Sequence, residues 1–320
     1  MLKTILVTGA AGFLGYFFCK ELLKHDYQVI GLDNFFRGKR ENIDSLLTYR
    51  QFIYHECDLS QDTNIASVRN LLTQHAVQIV IHLAAINGTQ YFYDRPLFVL
   101  DQNIRITQTL VSALKDTSVR YLIYTSSSEV YGQPVTIPTS EEDPILLNIL
   151  ADRDSYAASK AIDEFYLRLL TEQQAIDCLI VRVFNLYGER MVGTRYGQVI
   201  PEFIRKLVNR ETFTVIGNGS HTRSFCHVQD AAWALRQLME KNATGIINLG
   251  NDQEISILQL AQMIHRLANK PFKPKFLPNR PKDIIRRCPN IQRLKTQLPQ
   301  LRFTPLEQGL SQLLNKYIRS

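Results

Sequence analysis

The sequence predicts an α/β protein built on a doubly wound parallel sheet, with a smaller, interleaved C-terminal α/β part. Short β-branched and apolar runs at 4–7, 28–32, 52–54, 79–83, 121–125 and 178–183 are apolar at successive positions. That is the pattern of strands buried on both faces. Stretches of helical periodicity at 13–24, 64–74, 103–115 and 157–171 alternate with them, so each strand is followed by a crossover and helices cover both faces. The first strand also runs straight into a glycine-rich turn that opens a helix.

That turn reads Thr8-Gly9-Ala10-Ala11-Gly12-Phe13-Leu14-Gly15. A pyrophosphate approaches backbone closely only where side chains are absent, and a helix beginning there offers free N–H groups and a positive dipole end. Gly9 and Gly12 serve the approach, and Gly15 lets helix and strand pack. The second strand ends in Leu32-Asp33-Asn34, about 20 residues on, where the dinucleotide fingerprint places an acid. A carboxylate at Asp33 accepts ribose hydroxyls and repels a 2′-phosphate, which favours NAD over NADP. The expected arrangement is thus Rossmann-type.

Residues 1–187 are read as the dinucleotide-binding domain and 188–320 as a substrate domain, with part of 224–250 returning to the sheet. In this second part the regular alternation fades. Helices are expected at 199–208, 230–239 and 257–268, strands at 213–216 and 245–249, and a polar, basic loop at 217–224.

The bulk composition narrows the class. With 320 residues, 45% hydrophobic and 21% charged, the chain is an ordinary globular protein rather than a disordered one. Its net charge of +7 is spread along the sequence, so a nucleic-acid partner is not expected. Cys19, Cys57, Cys178, Cys226 and Cys288 show no paired spacing. They read as reduced thiols with no metal site. The N-terminus lacks a signal-peptide layout and no apolar run has membrane-spanning length, so no membrane association and a cytoplasmic location are expected.

The densest chemistry lies in Tyr121-Leu122-Ile123-Tyr124-Thr125-Ser126-Ser127-Ser128-Glu129-Val130-Tyr131-Gly132, followed by Ser155-Tyr156-Ala157-Ala158-Ser159-Lys160. Tyr156 and Lys160 are four apart on a helix and share a face. An ammonium beside a phenol is expected to stabilise phenolate and so turn Tyr156 into a usable base.

With these motifs in place, the sequence resembles the extended short-chain dehydrogenase/reductase superfamily, specifically its NAD-dependent nucleotide-sugar epimerases, dehydratases and decarboxylases. The likeness spans the chain. It rests on the glycine turn, Asp58-Leu59, His82-Leu83-Ala84-Ala85, Asn103, the serine-rich strand end, Tyr156 with Lys160, and 182–188 as Arg-Val-Phe-Asn-Leu-Tyr-Gly. Further on come His221-Thr222-Arg223-Ser224-Phe225 with Asp230, Ile247-Asn248-Leu249-Gly250, and Arg280-Pro281-Lys282-Asp283.

The resemblance implies that Tyr156 takes the proton of a sugar 4-hydroxyl while hydride passes to NAD. Lys160 would hold the ribose, and Ser127 would hydrogen-bond the same sugar oxygen. Asp58 and Leu59 would flank the adenine, Leu83, Ala84 and Ala85 would line the cofactor channel, and Asn103 would support it. Asn185, Val199, Arg223 and Arg280 would grip the nucleotide diphosphate, and Arg287 would meet a sugar carboxylate in the decarboxylase branch. A homodimer through the helices near Asn103 and Ala157 is implied as well.

The branch is argued from particular residues. Dehydratases carry Asp-Glu where this chain has Ser128-Glu129, so the acid for a departing 6-hydroxyl is missing. Decarboxylases share Ser-Glu-Val-Tyr-Gly, with Glu129 as a positioning carboxylate. The 4-epimerases share Arg-Pro-x-Asp at 280–283. Residues 86–89 match neither branch, and Glu189 replaces a usual proline. An NDP-sugar epimerase is the first reading and a UDP-glucuronate decarboxylase the second. A binding protein without turnover is the reading of another class, opposed by the intact Ser127, Tyr156 and Lys160.

Overall fold

The computed structural model describes residues 3–174, 176–191, 198–278 and 284–319. In chain order the first elements are β1 (Thr4–Thr8), α1 (Phe13–Leu23), β2 (Gln28–Asp33), α2 (Arg40–Leu46), β3 (Phe52–Glu56), α3 (Ile65–Gln74), β4 (Ile79–His82), α4 (Thr89–Asp94), α5 (Pro96–Leu114), β5 (Tyr121–Ser127), α6 (Asp154–Gln174) and β6 (Asp177–Val183). Then follow β7 (Leu186–Tyr187), α7 (Val199–Val208), β8 (Thr214–Ile216), β9 (Thr222–Ser224), β10 (Cys226–His227), α8 (Val228–Glu240), β11 (Gly245–Leu249), β12 (Glu254–Ser256), α9 (Ile257–Leu267), β13 (Lys275–Leu277), β14 (Arg286–Arg287), α10 (Gln292–Gln297) and α11 (Leu306–Arg319).

The seven-stranded sheet has the order β11-β6-β5-β4-β1-β2-β3, and its pairings from β3 to β5 are parallel. Every residue of β1 and β4 is buried, as successive apolar positions require of strands covered on both faces. Leu6 sits opposite Ile30 on one side and Val80 on the other. These three, with Leu122 from β5, enter one core with Leu72 of α3, Leu110 of α5 and Leu167 of α6, and each contributes about 1.5–3 kcal/mol of burial. Because β2 and β3 lie on one side of β1 and β4 on the other, the strand order reverses at β1. The carboxyl ends of β1 and β4 therefore flank the crevice where such sheets bind ligands.

One helix departs from the sequence expectation. Helix α5 starts at Pro96, ahead of the expected 103, with the proline in its first turn. There the missing N–H has no intrahelical partner to lose, so a residue that reads as a breaker acts as a starter.

The chain divides into two compact units, the first comprising Met1–Gly132, Ile145–Arg182 and Ala232–Ile247, and the second Gln133–Pro144, Val183–Ala231 and Asn248–Ser320. In the second unit, residues 222–224 form a strand where the sequence suggests a basic loop. Strand β9 pairs antiparallel with β12 and parallel with β14. Both partners are remote in sequence, so no local pattern signals the pairing. Tyr187, Phe203, Phe213, Ile264 and Leu310 form this unit's core. Helix α9 starts on a capping box between Ser256 and Gln259, which satisfies otherwise orphaned donors. Among the described residues no helix is long and apolar enough to cross a membrane.

Candidate active site

The turn after β1 is shaped by contacts that exclude side chains. Gly9 has φ +72°, and a Cβ there would lie 2.8 Å from the Ala84 backbone nitrogen. At Gly15 a Cβ would fall 2.0 Å from the Gly9 carbonyl oxygen. Gly12 caps α1 in extended conformation, with its N–H donating to the Gly9 carbonyl at 3.0 Å. Helix α1 thus presses its first turn onto the loop and presents its N-terminus to the crevice. Phe13 and Leu14 form that first turn.

An open cleft lies at this end of the sheet. Gly9 and Gly12 form one wall, Asp33 and Asn34 the rim, Asp58 and Leu59 the next loop, and Leu83, Ala84 and Ala85 the far wall. The Asp33 carboxylate accepts from the N–H of Ala11 at 3.0 Å and of Phe35 at 2.7 Å. Burial raises its pKa and these backbone donors oppose the rise. It is thereby fixed across the glycine turn. Glycines that admit no Cβ, a helix N-terminus and an anchored acid at the end of β2 are what a dinucleotide needs, so these residues fit NAD.

Behind the cleft, Thr8 Oγ1 accepts the N–H groups of Leu83 and Ala84, both at 3.2 Å, and contacts His82 Nδ1 at 2.7 Å. His82 Nε2 reaches Thr107 at 3.2 Å. Burial, aided by the charge of Lys160, holds the imidazole down at about 3, so His82 is a neutral, satisfied core histidine. Asn103 is buried rather than cleft-lining. Its Oδ1 accepts from the Ile86 N–H at 2.6 Å and its amide donates to Ser159 Oγ at 3.0 Å. It ties the cleft wall to the helix that carries Tyr156.

Tyr156 and Lys160 are both buried near the start of α6. Ser127, at the end of β5, hydrogen-bonds the phenol and lowers its pKa, while burial, the dominant influence, raises it. Lys160 has partners of its own. Its Nζ donates to the Thr125 carbonyl at 2.9 Å and lies 4.5 Å from the centre of the Tyr124 ring. Burial thus outweighs the charges that act on the phenol in this structure. Spacing along a helix brings two side chains to one face but leaves the nearer competing acceptors unknown.

Two neighbours escape sequence reasoning. Phe92 stacks on Tyr156 with ring centres 4.5 Å apart and planes 12° apart. It belongs to the aromatic triplet 91–93, whose role, packing or substrate contact, the sequence leaves open. Arg153 pairs with Glu129 at 3.1 Å, and its position just before α6 is the one sequence signal for it.

The second unit holds the expected nucleotide-diphosphate residues. The Asn185 amide donates to the Ser224 carbonyl at 3.2 Å. Arg223 donates to the carbonyls of Thr222 at 2.7 Å and Ile284 at 2.8 Å. Arg287, buried, is in register beside Arg223. These three are gathered around β9. Val199 opens α7 and packs on the core. Arg280 lies outside the described residues.

Comparison with known proteins places this geometry. The profile of the NAD dependent epimerase/dehydratase family matches residues 5–250. The chain is 34% identical over 332 residues to UDP-N-acetyl-alpha-D-glucosaminuronate decarboxylase of Bacillus cytotoxicus, covering 98% of this chain and 97% of the relative. Among solved structures, UDP-N-acetylglucosamine 4-epimerase from Methanobrevibacter ruminantium M1, in complex with UDP-N-acetylmuramic acid, superposes with a TM-score of 0.90 at 28% identity over 99% of each chain. A variant of UDP-glucuronic acid 4-epimerase from Bacillus cereus, in complex with NAD and UDP-4-deoxy-4-fluoro-glucuronic acid, gives 0.86 at 29% identity over 99% of each chain. With a cleft shaped for a dinucleotide, an intact Ser127, Tyr156 and Lys160 set, and a match of this extent, the chain belongs to the NAD-dependent epimerase/dehydratase family of enzymes.

Proposed function

We propose that the protein is an epimerase acting on a nucleotide-diphosphate sugar through a transient 4-keto form. The observation that carries this reading is the buried phenol of Tyr156, hydrogen-bonded to Ser127 on a strand end and one helical turn from Lys160. In its phenolate form Tyr156 takes the proton of the sugar 4-hydroxyl as hydride leaves C4, and returns that proton after the keto sugar has turned over. Ser127 hydrogen-bonds the same oxygen and keeps it aligned with the phenol. NAD, when bound, supplies the hydride acceptor and donor and, in its oxidised form, a positive ring. Gly9, Gly12, Asp33 and Asp58 would hold it, with Lys160 on its ribose. Arg223 and Asn185, with Val199 and Arg280, would hold the nucleotide diphosphate, for which a planar guanidinium fork is suited, and Arg287 would face a sugar carboxylate.

A second reading, decarboxylation of UDP-glucuronate, is favoured by the Glu129–Arg153 pair and by Arg287 standing beside Arg223. A ketone at C4 lies β to the C6 carboxylate, and such acids lose carbon dioxide readily. Ser128, buried at the position where dehydratases need an acid, supports neither elimination nor the dehydratase branch.

Incubation with NAD and a panel of UDP-, dTDP-, GDP- and CDP-sugars tests this. A new isomer of the donor supports the epimerase, carbon dioxide from UDP-glucuronate supports the second reading, and tight binding without product for every donor supports a non-catalytic binding protein. We further read the protein as a cytoplasmic homodimer. Ile162, Phe165 and Leu169 lie exposed along one side of α6, and Leu97 is exposed on α5. Sedimentation equilibrium would return a monomer mass if those faces are not an interface.

A further inference from the structure

We propose that Asp163 is the buried counter-charge that keeps Lys160 protonated and in place, which makes it a positioning residue for the Ser127–Tyr156–Lys160 site. The proposal rests on the reading of Lys160 as part of that site.

Both side chains are almost wholly shielded from solvent. A buried ammonium sheds its proton unless an acid offsets its desolvation. The Thr125 carbonyl at 2.9 Å and the Tyr124 ring at 4.5 Å solvate Lys160 but carry no net charge. Charge must come from elsewhere, and two carboxylates on the same helix act on it, Asp163 and Glu164. Glu164 is engaged by Arg182, which donates to both its oxygens at 3.0 and 2.7 Å. Asp163 meets only hydroxyls. Tyr124 donates to Oδ2 at 2.7 Å, and Thr107 hydrogen-bonds it as well.

Tyr124 therefore touches both partners, its ring against the ammonium and its hydroxyl on the carboxylate. His82 approaches from β4, neutral and bonded to Thr107 and Thr8, so no further charge is delivered from that strand. Tyr156 faces the pair from the start of the helix, its own pKa raised chiefly by burial. The electrostatics of the pair follow from this placement. Burial pushes Lys160 down to about 8, with Asp163 the larger of the two opposing influences. Burial pushes Asp163 up to about 6, with Lys160 the first influence against it. Each group's charge leans on the other's.

The same residues extend the network to the cofactor turn. Thr107 binds His82, His82 binds Thr8, and Thr8 holds the N–H groups of Leu83 and Ala84 that wall the cleft. Asp163 thus anchors the catalytic lysine to the strand end that shapes the dinucleotide site.

The test uses the full chain labelled with [ε-13C]lysine, followed by NMR against pH, with Lys160 assigned as the resonance missing from Lys160→Met. In the wild type this resonance titrates near pH 8, and in the isosteric Asp163→Asn variant its midpoint falls by at least about one pH unit. Equal midpoints overturn the proposal. Should Asp163→Asn fail to fold, the reciprocal measurement serves. Coupled groups shift one another equally, so Lys160→Met must raise the midpoint of the Asp163 carboxyl, followed by 13C, and an unmoved midpoint refutes the coupling.

On an active donor, Asp163→Asn should lose activity chiefly at alkaline pH, where its lysine is neutral, and regain it toward pH 6. A loss uniform with pH marks a merely structural residue and contradicts the assignment. If Tyr156→Phe inactivates while Asp163→Asn keeps the wild-type profile, this proposal alone fails. If Tyr156→Phe is fully active, the reading of the site fails first.

Discussion

Replacing Gly15 and Gly12 by alanine, one at a time, separates the packing role of the glycine turn from its ligand role. At Gly15 the new methyl would lie 2.0 Å from the Gly9 carbonyl oxygen and 2.8 Å from its carbon. Ordinary carbon–oxygen contacts are about 3.3 Å, so helix and turn must part by more than about 1 Å. Overpacking of this kind costs about 1–3 kcal/mol, and at about 2–4 °C per kcal/mol the unfolding midpoint should drop by several degrees. At Gly12 the methyl stands 3.1 Å from the same oxygen, which a shift of a few tenths of an ångström relieves. Gly12→Ala should therefore leave the midpoint nearly unchanged while weakening NAD, because its methyl occupies the route of the phosphates. Circular dichroism melts without NAD, paired with calorimetric NAD titrations, read both effects. The reasoning is refuted if Gly15→Ala melts like the wild type, or if Gly12→Ala destabilises as much as Gly15→Ala.

Two further outcomes are expected. Arg223→Ala should weaken nucleotide-sugar binding about tenfold or more, as loss of a charged hydrogen-bond partner implies, and spare NAD affinity. Unaltered sugar-nucleotide affinity removes the residue from the site. His82 gives a pH signature. Its folded-state pKa is depressed to about 3 from 6.5, so its contribution to stability is complete above pH 6.5 and is lost as pH falls toward 3, at up to about 1.4 kcal/mol per pH unit. The signature is read as the difference between wild type and His82→Gln in urea unfolding, so that Asp163, whose raised pKa acts in the opposite sense, cancels. Parallel pH dependences for the two proteins would contradict it.

The parallel, doubly wound sheet is legible because burial on both faces leaves a local mark, unbroken apolar runs such as 79–81, and because glycines at 9, 12 and 15 announce where strand becomes helix. Asp33 could be placed because the fingerprint fixes its distance along the chain. What stayed hidden depends on contacts between distant segments. Strand β9 exists because residues 254–256 and 286–287 pair with it. Arg153 matters through Glu129, and Phe92 through the ring of Tyr156. Helical spacing put Tyr156 and Lys160 together. It could not show that Thr125 and Tyr124 contact the ammonium, or that burial outweighs the charges on the phenol.

The most direct test of the central claim is absorbance at 340 nm on rapid mixing of the NAD-loaded enzyme with each donor of the sugar panel, for the wild type and for Tyr156→Phe. A transient signal of reduced cofactor is expected with at least one donor. In Tyr156→Phe NAD should still bind and the signal should be slowed by about 10²–10⁴-fold, the usual worth of a positioned proton acceptor. A Tyr156→Phe variant that forms reduced cofactor at the wild-type rate, or a wild type that converts a donor without any such signal and without needing NAD, would contradict the claim.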